Sequence, residues 1–146
     1  MSEPNLPPIT VSGNFKDMGE SLKALRDYAV KAAEYAGLPR NRVEGLRLAV
    51  DEYATNIITY GYRDAGLTGE IDAAAMIDDN ALILSLYDQA AAFDPRTKAA
   101  PTYLDAPLDE REIGGLGIML VNESVDEWRY ERANGRNCNH FVLKRA

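Results

Sequence analysis

The stretch Asp51-Glu52-Tyr53-Ala54-Thr55-Asn56-Ile57-Ile58-Thr59-Tyr60-Gly61-Tyr62 decides how the rest of this chain is read. Glu52, Asn56 and Tyr60 stand four residues apart. On an α-helix that spacing stacks a carboxylate, a carboxamide and a phenol along one stripe. Val43, Leu46, Val50, Tyr53, Ala54 and Ile57 make the apolar face of a helix running from about Arg40 to Ile58. At about 100° per residue, Glu52 and Asn56 fall on the shoulder of that face and can point into a pocket roofed by the core. A carboxylate there can accept a proton from a hydroxyl or water. An amide oxygen can hold magnesium, which prefers oxygen ligands and keeps several of its waters.

Outward from this helix, the pattern predicts the remaining elements. Pro4, Pro7 and Pro8 mark an extended lead-in over residues 1–8, and Ile9 to Ser12 alternates like a short strand. Met18, Leu22, Leu25, Ala29, Ala32 and Ala36 predict an amphipathic helix from Asp17 to Ala36, with Gly37 at its end and Pro39 beyond. Gly61 to Gly69 reads as a loop. Glu70 to Asp78 and Ala81 to Tyr87 read as strands joined at Asp79-Asn80. From about 89 to 113 no period is visible, and an irregular stretch of that length is often a lid. Ile118 to Val125 is helical in period. Glu127 to Arg132 and His140 to Lys144 form a closing hairpin around Asn134-Gly135. Antiparallel pairs with helices gathered on one side predict a single α+β domain over residues 1–146, a two-layer sandwich with a mixed, mostly antiparallel sheet.

Composition narrows the chemistry. The chain has 146 residues, 46% hydrophobic and 27% charged, which suits one soluble domain. No apolar run approaches the ~20 residues of a membrane span, and the first residues do not read as a secretory signal, so a cytoplasmic location is expected. The single cysteine, Cys138, excludes an internal disulfide framework, and the single histidine, His140, argues against a His-based metal site or a Ser-His-Asp triad. A net charge of −7 disfavours direct nucleic-acid binding.

Two further motifs sit downstream. Gly114-Gly115-Leu116-Gly117 lets backbone amides approach a ligand closely, and the helix after it would add free N–H donors for phosphate. Asp88, at the end of a strand, can accept a hydrogen bond from an exocyclic amine such as that of adenine, with Phe93 and Pro95 as pocket walls.

In this order the three motifs resemble the GHKL ATP-binding superfamily of gyrase, heat-shock chaperone, mismatch-repair and histidine-kinase domains. Within it the chain is most similar to the stand-alone anti-sigma-factor serine kinases of bacterial stress response and sporulation. Leu48 to Asn56 resembles their N box, Asp88 to Pro95 their first glycine box, and Gly114 to Val121 their second. The resemblance implies a Bergerat-type fold that binds ATP and Mg2+. It implies Glu52 as general base, Asn56 as magnesium ligand and Asp88 as adenine contact. Tyr60, Ala90 and Phe93 would line the site, and Gly114, Gly115, Leu116 and Gly117 would hold phosphates. It implies phosphorylation of a serine on an anti-anti-sigma (STAS-type) partner, sequestration of a sigma factor, and a homodimer.

Four positions depart from the pattern. Ala90 stands where relatives have glycine, and its methyl is expected to crowd the base or tilt the turn. No threonine occurs from Gly135 to Lys144, so Asn139 or His140 is expected to take that place. Tyr60 replaces a frequent histidine. Ile113 stands where some relatives have arginine, with Arg111 two residues earlier. These changes make a non-catalytic, partner-binding switch with weak or lost ATP binding the alternative reading. An ATPase or histidine-kinase fragment fits less well, because no phosphoacceptor helix pair is present.

Overall fold

The computed structural model describes residues 6–92 and 121–145. The two amphipathic patterns become helices α1, Met18–Tyr35, and α2, Arg40–Asn56. Past the end of α1, Gly37 has a φ of 75°, a conformation that penalises any Cβ. Its N–H bonds to Glu34 O at 3.0 Å and that of Leu38 to Ala33 O at 3.1 Å, the paired bonds of a Schellman stop. Pro39, in extended backbone, then opens α2, and its carbonyl accepts the N–H groups of Arg42 and Val43.

Among the described residues five strands form one sheet: β1, Ile9–Ser12; β2, Glu70–Ile77; β3, Ala81–Asp88; β4, Glu127–Ala133; and β5, Arg136–Lys144. Their order is β1-β2-β3-β5-β4, and all four pairings are antiparallel. Alternation sends Ile71, Ala73, Ala75 and Ile77 to the same face as Leu82, Leu84, Leu86, Phe141 and Leu143. These pack in one core with Leu22, Leu25, Ala29 and Ala32 of α1 and Leu46, Ala49, Val50 and Tyr53 of α2. The result is the α+β two-layer arrangement read from the pattern. Among the described residues no helix is long and apolar enough to cross a membrane.

Two boundaries differ from the sequence reading. The helical path does not stop at Ile58; it continues as a π-helical segment, Ile57–Arg63, so the loop expected from Gly61 begins later. Strand β5 begins at Arg136, four residues before the expected His140. The turn Asn134-Gly135, with φ of 55° and 75°, suits a two-residue hairpin and pairs Ala133 directly with Arg136. The run Asn137-Cys138-Asn139 looks too polar for a buried strand, but its asparagines have partners. Asn139 is fully buried; its Nδ2 donates to Tyr53 Oη at 3.0 Å and its Oδ1 accepts from Trp128 Nε1 at 3.0 Å. The Tyr53 and Trp128 rings meet edge to face at 5.3 Å. Asn139→Ala would take the acceptor from the buried Trp128 N–H and the donor from Tyr53 Oη and leave a cavity, so a stability loss of about 2–4 kcal/mol is expected in denaturant unfolding.

Candidate functional site

The C-terminal turns of α2 carry the first half of the site. Tyr53 and Ala54 are buried, while Glu52 and Asn56 are half-buried on the shoulder of the helix, as the period requires. Neither side chain makes a hydrogen bond or ion pair among the described residues. Burial raises the Glu52 carboxyl above its ordinary range, and the neighbouring Asp51 charge adds to the rise. Asp51 itself is tied to Arg26 Nη1 at 2.9 Å. Tyr60 lies one turn on, 45% exposed, within the π-helical segment. There the Asp64 N–H reaches back five residues to Thr59 O at 2.9 Å. Such π-turns are often found at functional sites.

Tyr62 shows what holds that segment. It is fully buried, and positions Gly13 and Gly69 flank its ring so closely that a methyl at either would come within 2.5 Å and 2.9 Å of ring carbons. Its hydroxyl donates to Glu70 O at 2.7 Å and accepts the N–H of Gln89 at 2.7 Å. The segment after Asn56 is thereby tied to the end of β3. Gly61 completes the join: a Cβ there would lie 2.9 Å from the Ala90 methyl. The Ala90 methyl, expected to crowd the base or tilt the turn, lies against the space that Gly61 leaves open. Ala90 is buried and needs no left-handed backbone. Gly61→Ala is expected to cost about 1–3 kcal/mol by overpacking. Adding Ala90→Gly should restore part of that loss in thermal unfolding, and strictly additive effects would disprove the contact.

Asp88 ends β3 with 2% of its surface exposed. Burial pushes its carboxyl above the usual carboxylate range; bonds from Asn137 and Ala90 and the Arg132 charge work against that rise. Oδ1 accepts Asn137 Nδ2 at 2.9 Å and the Ala90 N–H at 3.0 Å. Oδ2 takes no hydrogen bond among the described residues. Asn137, absent from the sequence-level site, stands opposite Asp88 in the β3–β5 register. Counting back by twos from Leu143 and Phe141 reaches Asn139 and Asn137, so strand alternation carried the signal once the strand start was known.

The same count corrects the two residues expected in the threonine's place. Asn139 is on the correct face but is committed to Tyr53 and Trp128. His140 is on the opposite face, where Nδ1 and Ser85 Oγ are 2.6 Å apart and Nε2 lies 3.2 Å from Glu131 Oε2. Phe93, Gly114, Gly115, Leu116 and Gly117, with Pro95, Arg111 and Ile113, lie outside the described residues. The structure thus joins the helix carrying Glu52 and Asn56 to the strand end carrying Asp88, through Tyr62, Gly61 and Ala90.

A buried carboxylate at a sheet end and a half-buried carboxylate–amide pair on a helix thus stand on separate, joined elements. The family model described as "Histidine kinase-like ATPase domain" matches residues 15–143, and the chain belongs to that family. Among curated proteins it is similar to the serine-protein kinase RsbW of Bacillus cereus (strain AH820), 28% identical over 98 residues, covering 65% of this chain and 60% of that protein. RsbW of Bacillus licheniformis is 29% identical over 106 residues, covering 70% of this chain and 66% of the relative. The anti-sigma F factor of Clostridium acetobutylicum is 27% identical over 104 residues, 70% of each. The chain spans about 60% of the length of the Bacillus cereus relative.

Proposed function

We propose that this domain binds ATP with magnesium, phosphorylates a serine on an anti-anti-sigma (STAS-type) partner, and sequesters a sigma factor, acting as a cytoplasmic homodimer. The observation that carries the reading is the tie, through Tyr62, between the helix on which Glu52 and Asn56 have no side-chain partner among the described residues and the strand end where Oδ2 of buried Asp88 has none among them. The names of the relatives, a serine-protein kinase and an anti-sigma factor, support it.

The residues present suit the nucleotide and the metal. Asp88 would accept the exocyclic amine of adenine through Oδ2. The Asn56 carboxamide has no competing partner among the described residues and would offer its oxygen to the metal, whose charge offsets that of the phosphates. Glu52, its carboxyl raised by burial, would accept the proton of the partner's serine hydroxyl as the serine oxygen bonds to the terminal phosphorus and ADP departs. Tyr60, Ala90, Phe93 and the glycines at 114, 115 and 117 with Leu116 would complete the enclosure.

Incubation with Mg-ATP and a cognate STAS domain should yield phosphoserine on that partner. The alternative, a non-catalytic switch with weak or lost nucleotide binding, rested partly on Ala90, whose methyl is accommodated by Gly61. Calorimetry separates the two readings: no heat with Mg-ATP at high micromolar concentration would favour the switch.

A further inference from the structure

Among the described residues Asp88 is held through Oδ1 only, by Asn137 Nδ2 and the Ala90 N–H. The Asn137 carboxamide is itself fixed. Its Nδ2 donates to Asp88 Oδ1 at 2.9 Å and to Ala91 O at 3.0 Å, and its Oδ1 accepts the Tyr130 hydroxyl at 2.5 Å. Arg132 Nη1 adds a bond to Ala90 O at 3.0 Å. The strand end, Ala90 and Ala91 are therefore clamped to β4 and β5, and the carboxylate cannot turn without breaking the clamp. Asn137 is 3% exposed, so it acts through Asp88 rather than by offering its own edge.

We propose that Asn137 is a positioning residue that sets base selectivity, by filling, together with the Ala90 N–H, the acceptor positions of Asp88 Oδ1 and leaving Oδ2 to the base. This rests on the nucleotide reading above. A 6-aminopurine edge presents one N–H donor beside a ring acceptor, and one oxygen satisfies it. Guanine presents two parallel donors, N1–H and the 2-amino group, which suit a carboxylate with both oxygens free. With Oδ1 already claimed, the second guanine donor enters the pocket unpaired, and an unpaired buried donor opposes binding. Rejection of the wrong base then comes from a group that never meets it.

The test measures ADP and GDP binding, without metal, to the full chain by calorimetry. The wild type should prefer ADP. Asn137→Ala should lower the ADP-to-GDP affinity ratio at least about fivefold, because one acceptor position of Oδ1 opens to guanine while the Ala90 N–H keeps the other. Asn137→Val, which suits a strand and donates nothing, provides a second variant if alanine unfolds the domain, and melting curves establish that each variant is folded. Simple loosening of the site would weaken both nucleotides in parallel and leave the ratio unchanged. A wild type that prefers ADP, with a folded variant that keeps the same ratio, overturns the role of Asn137 alone. A wild type that binds neither nucleotide overturns the nucleotide reading and this inference with it.

Discussion

Glu52→Ala is expected to lower phosphotransfer to the partner by about 10²–10⁴-fold, the usual contribution of a positioned general base. Nucleotide binding should change little, because Glu52 has no partner in the described structure whose loss would disturb the helix. Glu52→Gln keeps the shape and should lose the same activity. The pH profile adds a second readout. A base must be ionised to accept a proton, so the rate falls as pH drops through its pKa. Burial, and then the Asp51 charge, hold that value above the ordinary glutamate range. The acid limb of the rate profile should therefore lie above the ordinary glutamate range, and Asp51→Asn should move it downward by removing the neighbouring charge. Phosphotransfer within tenfold of wild type in Glu52→Ala would remove Glu52 from the role of base.

Asp88→Asn is expected to separate binding from stability. The amide keeps an oxygen able to accept the Asn137 and Ala90 donors, but it turns an NH2 group toward the base, where an acceptor is needed. Affinity for ADP should fall about 10²-fold. Stability should move the other way. Burial raises the Asp88 carboxyl in the folded state. A carboxyl with a raised folded pKa contributes stability below its unfolded pKa and loses it as pH rises through the raised value. The asparagine variant has no such loss. Its melting temperature should equal or exceed that of wild type near neutral pH, and the gap should close once pH falls below the ordinary aspartate range. A variant that melts lower at neutral pH and binds ADP unchanged would contradict both halves of this account. A residue that costs stability while serving a ligand is the usual trade at binding sites.

Much of this was legible in the chain. The threes and fours of Val43, Leu46, Val50 and Tyr53 placed Glu52 and Asn56 on a helix shoulder, because a helical period fixes which side chains share a face. Gly37 and the Asn134-Gly135 pair marked two chain reversals, since positive φ has few tolerant residues. Other features were hidden for specific reasons. Propensity assigns Asn137 and Asn139 to a turn, and only their partners Asp88, Tyr130, Tyr53 and Trp128, far off in sequence, make a buried strand acceptable. Gly61 reads as a loop start, yet it is the close approach between a helical turn and Ala90.

By itself the sequence determined the class of fold and the helix face that carries Glu52 and Asn56, because hydrophobic period and motif spacing are local properties of a chain. Tertiary structure alone decided the surroundings of Asp88. There the β3–β5 register sets Asn137 opposite Asp88, the opposite face takes His140, and Gly61 receives the methyl of Ala90. Those relations join residues tens of positions apart, and a one-residue shift in strand register would exchange every one of them between the two faces of the sheet.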